Sequence, residues 1–321
     1  MNRKLLSIAI PAYNRPKELL YCLNSFIARI EGKYNEEIEI IVSDDCSPND
    51  SLKDVRRLAD RYSFLTYVRY DENIGLEKNL LGSTERCSGE YLWIFGDDDF
   101  LEGENALDVI IEALRARKPE FLVLNRTRRS FSLDKVLSNN WMGIPPGEVR
   151  EYPGLRDFCL EFGLISIIGF ISVNIFKRAP FSKVDSTPYL GSMYPQLGVM
   201  VEAFASGRTV FLSQPLVCHR TQTREEKIEA LGGKELETAF MSDEKVRNAQ
   251  YFSFPFVRMI STFLKKRAFT ELDIASIREN TVINGLYLDF LMNSVLDGIT
   301  LCKFRSIEEY YQAVNLFSDL P

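Results

Sequence analysis

Three consecutive aspartates, Asp97-Asp98-Asp99, stand directly after the apolar run Tyr91-Leu92-Trp93-Ile94-Phe95 and a single glycine. Carboxylates held this close at the end of a buried strand repel, and each raises its neighbour's pKa unless a cation neutralises them. Hard divalent ions such as Mg2+ or Mn2+ take carboxylate oxygens and share their remaining positions with phosphate. The plainer reading is a solvated turn in which one Asp caps the next helix, but a cap needs one acid, not three. The triplet therefore points to a metal-assisted site for a phosphorylated ligand.

Weaker signals accompany it. Asp44-Asp45 follows the β-branched run Glu37–Val42, although Asx-rich turns after strands are common and Ser47, Asn49 or Asp50 could cap the next helix. Asn73-Ile74-Gly75 opens a helix that carries Lys78 and Asn79. A helix start offers free N–H groups and the positive end of a dipole, which suits a phosphate, but an N-cap with an exposed lysine explains it equally well. His219 is the single histidine, in Val217-Cys218-His219-Arg220. It could complete an oxygen-rich metal site or face a diphosphate together with Arg220, and a lone histidine is otherwise structural.

The elements needed to position these residues are legible over the first 125 residues. Strands are expected at 5–10, 37–42, 65–69, 91–95 and 121–124, with helical stretches at 15–29, 51–62, 76–87 and 104–115 between them. Strands alternating with single helices imply right-handed βαβ units, hence an α/β chain with a mostly parallel sheet flanked by helices. Such sheets bind ligands at the carboxyl ends of their strands. There stand Pro11-Ala12-Tyr13-Asn14, Asp44-Asp45, Asp71–Gly75 and Asp97–Asp99, which should converge on one rim. Beyond residue 125 the pattern weakens. Residues 130–153 read as a long excursion, 163–177 and 209–217 as strands, 197–205 as a helix, and the chain from 235 onward as helical. The expected division is a catalytic domain over 1–235, with a nucleotide-binding half (1–125) and an acceptor-side half (126–235), followed by a helical region over 236–321.

Composition narrows the class. A chain of 321 residues with 45% hydrophobic and 26% charged residues has the make-up of a globular protein. A net charge of −6 argues against nucleic acid as a partner. Six cysteines without a C-x-x-C pair imply reduced thiols in a cytoplasmic protein. No targeting segment and no membrane-spanning run is expected. No glycine-rich dinucleotide fingerprint, P-loop, nucleophile elbow or H-E-x-x-H motif is present.

Taken in order, these stretches resemble family 2 glycosyltransferases of the A-type nucleotide-sugar fold. Ser7–Arg15 resembles their opening strand and P-x-Y-N turn, and Val42–Ser47 their D-D-G/A-S stretch. Asn73-Ile74-Gly75 with Lys78-Asn79 resembles the N-x-G segment, and Phe95–Asp99 the D-x-D segment. Tyr91–Gly96 and Ser192–Pro195 resemble, more narrowly, bacterial O-antigen transferases of the abequosyltransferase kind.

The resemblance implies an inverting, hexosyltransferase-type enzyme. It would move a sugar from a nucleotide-sugar donor to a glycan or lipid-linked saccharide acceptor in O-antigen or capsule biosynthesis. Pro11, Tyr13, Asn14, Asp44, Asp45, Asn73, Lys78, Asp97 and Asp98 would surround the donor. Asp97, Asp99 and His219 would manage Mg2+ or Mn2+ and the diphosphate, with Asp99 in the catalytic centre. The family's Glu-Asp pair, which carries the base, is replaced by Tyr194-Pro195-Gln196, leaving Glu202 or Asp185 as the substitute. That gap also admits a non-catalytic nucleotide-sugar-binding or scaffold subunit of a polysaccharide assembly complex. A sugar nucleotidyltransferase is the other alternative, though its glycine-rich basic loop after the first strand is missing. The aromatic, basic stretch 251–266 reads as a helix packed on the rest of the chain, or as a peripheral contact with the inner face of a membrane.

Overall fold

A computed structural model describes residues 4–164, 168–192, 194–221, 226 and 254–273. The chain divides into two compact units that interleave along the sequence. One comprises 1–155, 170–184 and 207–221, the other 156–169, 185–206 and 222–321. The boundary expected at residue 125 falls inside a strand of the first unit, and the one at 235 lies outside the described residues.

The first unit is built on one ten-stranded sheet. Its strands are β1 (Leu6–Ala12), β2 (Ile38–Asp44), β3 (Leu65–Arg69), β4 (Tyr91–Ile94), β5 (Phe100–Leu101), β6 (Phe121–Ser130), β7 (Val136–Ser138), β8 (Val149–Tyr152), β9 (Asn174–Lys177) and β10 (Thr209–Thr221). The main order is β3-β2-β1-β4-β9-β6-β10-β5, with β7 on β6 and β8 on β10. Strands β1 to β4 are mutually parallel, so their carboxyl ends do share one rim. Helices α1 (Pro16–Ile30), α2 (Lys53–Arg61), α3 (Leu76–Glu85) and α4 (Ala106–Arg117) are the crossovers. The expected α/β architecture is borne out.

Past β4 the sheet becomes mixed. β9 runs antiparallel to both β4 and β6, and β10 is parallel to β6 but antiparallel to β5 and β8. The excursion 130–153 contains the edge strands β7 and β8, which its Ser, Asn and Pro content concealed. The strand expected over 163–177 shrinks to Asn174–Lys177, preceded by a 3-10 turn at Ile171–Val173.

Helix α1 shows why the site has a rigid base. Its buried side chains Leu19, Cys22, Leu23, Phe26, Ile27 and Ile30 recur at three- and four-residue spacing and form one stripe. Phe26 meets Trp93 and Phe95 edge to face, with ring centroids 5.6 and 4.9 Å apart. Burying each such ring contributes on the order of 2–3 kcal/mol, and the rings lock α1 against the strand that leads into the three aspartates.

In the second unit, helices α5 (Leu155–Phe162) and α7 (Pro195–Phe204) and a helix over Phe254–Lys265 are described. A single turn, α6 (Arg178–Phe181), belongs to the first unit. Tyr189 lies so close to Gly198 of α7 that a Cβ there would sit 2.2 Å from its ring. Met259 and Phe263 of the last helix are buried, and the Phe263 ring lies 6.0 Å from that of Tyr189. That part of the stretch 251–266 is therefore packed against its own unit. The remainder of the expected C-terminal helical region lies outside the described residues. No described helix is long and apolar enough to cross a membrane.

Candidate active site

The rim of the first unit carries a cavity of about 400 Å³ lined by Pro11, Tyr13, Arg15, Asp45, Asn73 and Asp97, with Ala12, Leu76 and Asn79 completing the wall. Residues from all four expected strand ends meet there. The end of β2 is tied to that of β1 by the Asp45 N–H, which donates to the Ala12 carbonyl at 2.9 Å. Tyr13 leaves nearly half its surface exposed, a ring open to a stacking partner.

The two acids of the second strand end do different work. Asp45 accepts the N–H groups of Ile74 and Gly75 at 2.7 and 3.0 Å, and Asn73 donates to its carbonyl at 3.1 Å. It fastens the turn that opens α3, where Gly75 adopts a φ of 87° that favours glycine. Asp44 turns the other way. It accepts from Ser47 and from Tyr67 and pairs with Arg69 at 3.3 Å, and it is 1% exposed. Asp44, expected at the donor, is consumed inside the turn and does not line the cavity. Nor do Asn14, whose N–H donates to Ser47 Oγ at 2.9 Å, and Lys78, which is exposed on α3. Asn79 takes the place expected of Lys78. It is buried, exchanges hydrogen bonds with Ser43 at 2.7 and 3.0 Å, and reaches the wall.

The acidic turn joins β4 to β5. Gly96 is needed there, since a Cβ would stand 2.9 Å from Asp99 Oδ2 and 3.3 Å from Ser172 Oγ. Arg15 Nη1 donates to Asp97 at 3.1 Å and to Asp98 at 2.9 Å. Burial, opposed by Arg15, pushes the Asp97 carboxyl up to about 7. Asp98 is also raised, again by burial. Asp99 is held well above the usual carboxylate range, by burial first and by Asp98 second. Its Oδ2 accepts from Ser172 Oγ at 2.5 Å and its Oδ1 from the Arg220 N–H at 3.2 Å. Ser172 in turn accepts the Gly96 N–H at 2.9 Å, and its carbonyl accepts Trp93 Nε1 at 2.9 Å. Arg15, Asn79 and Ser172 were not singled out from sequence. Arg15 and Asn79 stand inside the quoted motifs, whereas Ser172 is remote and gave no signal.

The His219 ring lies 4.3 Å from that of Phe170. Burial, with Arg126 and Arg128 adding to it, pulls its pKa down to about 3, so the imidazole is neutral. Arg126 is itself pulled down to about 9 by burial. No three His, Cys, Asp or Glu side chains among the described residues are placed to hold a metal ion together. The set Asp97, Asp99 and His219 is therefore not assembled as a protein-only site. The turn still suits a hard cation, because burial leaves all three carboxyls raised although Arg15 is ion-paired with two of them. Oxygen ligands brought by a bound diphosphate would complete such a site.

Comparison with known proteins identifies the lineage. The sequence model of Glycosyl transferase family 2 matches residues 7–176, the segment that carries the cavity, the acidic turn and Ser172. The chain belongs to that family. Abequosyltransferase RfbV of Salmonella typhimurium is 27% identical over 228 residues, which cover 67% of this family 2 chain and 66% of the relative. Chondroitin synthase of Escherichia coli is 28% identical over 190 residues, 58% of this chain and 26% of that protein. The match thus spans just under two thirds of one relative and about a quarter of the other. Among solved structures, S. aureus TarS 1–349 in complex with UDP-GlcNAc superposes with a TM-score of 0.62 at 17% identity, covering 98% of this chain and 80% of that one. The mannosyltransferase PcManGT from Pyrobaculum calidifontis, in complex with GDP-Man and Mn2+, gives 0.53 at 14% identity, covering 100% and 82%. At these identities the likeness concerns the fold, and it agrees with the A-type architecture.

Proposed function

We propose that this chain transfers a sugar, with inversion, from a nucleotide-sugar donor to a glycan or lipid-linked saccharide acceptor in bacterial surface polysaccharide synthesis. The observation that carries the reading is the continuity of one cavity wall from Pro11, Tyr13, Asp45 and Asn73 to Asp97. A nucleoside would lie against the open face of Tyr13, with its phosphates directed toward the acidic turn. The reading of the acceptor as surface polysaccharide draws on the abequosyltransferase relative, and a cytoplasmic location is part of the same proposal.

Asp97 and Asp99, with the donor's diphosphate, would hold Mg2+ or Mn2+; His219 belongs to the same assignment as a neighbour of that group. When bound, such an ion supplies Lewis-acid stabilisation of the departing diphosphate. Ser172 and the Arg220 N–H fix the Asp99 carboxylate, and Arg15 has to release Asp97 for that carboxylate to face another cation. Asp98 then remains the donor-side partner of Arg15. Glu202 is assigned the role of acceptor base, which rests on the family resemblance. In its own unit it accepts from the Tyr189 hydroxyl at 2.6 Å and pairs with Lys266 at 3.2 Å.

Calorimetry with UDP-, GDP-, CDP- and dTDP-sugars, with and without Mn2+, tests the reading. Binding of one nucleotide class, with metal-stimulated donor hydrolysis lost in Asp99→Asn, is the expected result. Binding of none of the four, or unchanged metal dependence in Asp99→Asn, would sink it. Glu202→Gln should abolish transfer while sparing donor hydrolysis, and NMR of the product's anomeric proton decides inversion.

A further inference from the structure

Strands β6 and β10 sort six charged and polar side chains onto two faces. In their parallel register Val217 stands beside Arg126 and His219 beside Arg128. Side chains alternate along a strand, so Arg126, Arg128 and His219 share one face while Thr127, Arg129 and Arg220 share the other. The second face is answered by protein. Glu102 accepts from Thr127 at 3.0 Å and from Arg129 at 3.2 Å, and the Arg220 guanidinium donates to the Phe131 carbonyl at 2.8 Å.

The first face is built differently. The Arg126 guanidinium lies 4.1 Å from the centre of the Phe170 ring and 4.9 Å from that of Trp141, and the Arg128 guanidinium lies 4.6 Å from Trp141. Two cations therefore flank one indole. The Arg128 Nε and the His219 Nδ1 are buried without a hydrogen-bond partner among the described residues. The Arg128 guanidinium, stacked on Trp141, keeps its Nε edge for another acceptor, and such an edge matches the paired oxygens of phosphate or carboxylate. Neutral imidazole adds one more donor without adding charge. The cluster borders the acidic turn, because Phe170 is two residues from Ser172, which holds Asp99.

We propose that Arg126, Arg128 and His219, plated by Trp141 and Phe170, form an oxyanion subsite that takes a phosphate or carboxylate group of a bound substrate. The anion has two possible carriers, the donor's diphosphate or an anionic acceptor. Only this choice of carrier rests on the sugar-transfer reading.

Trp141 is one of two tryptophans, and the other, Trp93, is fully buried. Its fluorescence therefore reports the subsite. Titration with inorganic pyrophosphate in EDTA should give a saturable change that Trp141→Phe removes. Arg128→Met should weaken binding by about tenfold or more, and Arg128→Lys should recover part of it. Arg126→Met provides a second variant, since it exchanges a buried cation for an apolar side chain of similar length.

Calorimetry with UDP, GDP, CDP and dTDP distinguishes the carriers. If Arg128→Met weakens the diphosphate and spares the matching monophosphate, the donor carries the anion. If it spares both, yet pyrophosphate still binds the nucleotide-saturated protein through Arg128, the acceptor carries it. Equal binding of pyrophosphate and diphosphates by the wild type and both methionine variants overturns the subsite, as does the absence of any saturable binding. Pyrophosphate bound through Arg128 with no nucleotide bound keeps the subsite and refutes the sugar-transfer reading. Nucleotide binding indifferent to both arginines, with no pyrophosphate bound through either, does the reverse.

Discussion

The acids at the end of β2 and those at the end of β4 look alike in sequence and are in opposite physical states. Asp44 and Asp45 are buried, yet each accepts two or more hydrogen bonds from its own neighbourhood, and Asp44 is paired with Arg69. Asp97, Asp98 and Asp99 are also withdrawn from water, but burial and mutual repulsion outweigh their partners, and all three carboxyls are pushed up. A satisfied carboxylate shapes a turn. An undercompensated one marks the place where a cation or a charged substrate gains most by binding. The comparison predicts that substitutions at the two ends will fail in different ways, one in chemistry and the other in folding.

The largest effect is expected at the strained end. Asp99→Asn keeps the shape of the side chain and its contacts with Ser172 while removing the charge. Donor hydrolysis should fall by about 10²–10³-fold, the range for losing one electrostatic group in a transition state. Its melting temperature should equal or exceed that of the wild type. Steady-state kinetics and a thermal scan on one sample check both, and a fully active or unfolded variant would break the contrast.

Asp44→Ala should show the opposite profile. It strips partners from Ser47, Tyr67 and Arg69 in a buried turn, and losing one member of such a network costs about 2–4 kcal/mol. Urea denaturation should show this loss, with hydrolysis per folded molecule changed far less. Asp45→Ala, which removes the fastening of α3, should cost about 1–2 kcal/mol.

The two acidic ends also show how far the sequence could be read. Period alone revealed β1 to β4 and their shared rim, because βαβ units repeat a local pattern. Which acid of a pair faces the ligand depends on where the strand ends, and a shift of one residue exchanges the roles of Asp44 and Asp45. Ser172 was not legible, since its hold on Asp99 joins residues 73 apart in the chain. Arg126 and Arg128 escaped notice for a different reason. β6 was expected to end at Leu124, whereas pairing with β10 carries it past the charged residues to Ser130. The long strand β10, itself paired on both sides, supplied that partner through tertiary context that local propensity does not contain.

The pH dependence of stability refines the comparison. The folded-state value of Asp97, about 7, lies above its ordinary 3.8. The folded chain therefore holds this proton more tightly than the unfolded chain. Its cost is absent below about pH 4, grows as pH rises toward 7, and is complete above that. In metal-free buffer the wild type should lose stability from pH 5 to pH 8. Asp97→Asn should flatten that fall, gaining at least about 2 °C on the wild type at pH 8 relative to pH 5. Parallel melting curves for the two proteins would show that Asp97 is satisfied after all, like Asp45.

The smallest effect separates a helix start from a point charge. Lys78 is exposed on the first turn of α3 and does not reach the cavity wall, whereas Asn79 beside it is buried and does. If phosphates or a nucleoside are held near this turn, the backbone N–H groups and Asn79 would hold them, and Lys78 adds only a screened surface charge. Lys78→Ala should therefore change donor affinity by about twofold or less, with the difference vanishing at high salt. Asn79→Ala breaks the pair of bonds to Ser43 at the wall and should weaken the donor by a larger factor that salt does not erase. Calorimetry of both variants at low and high ionic strength measures the two factors. A larger loss for Lys78→Ala would mean that the exposed lysine, and not the wall, meets the donor.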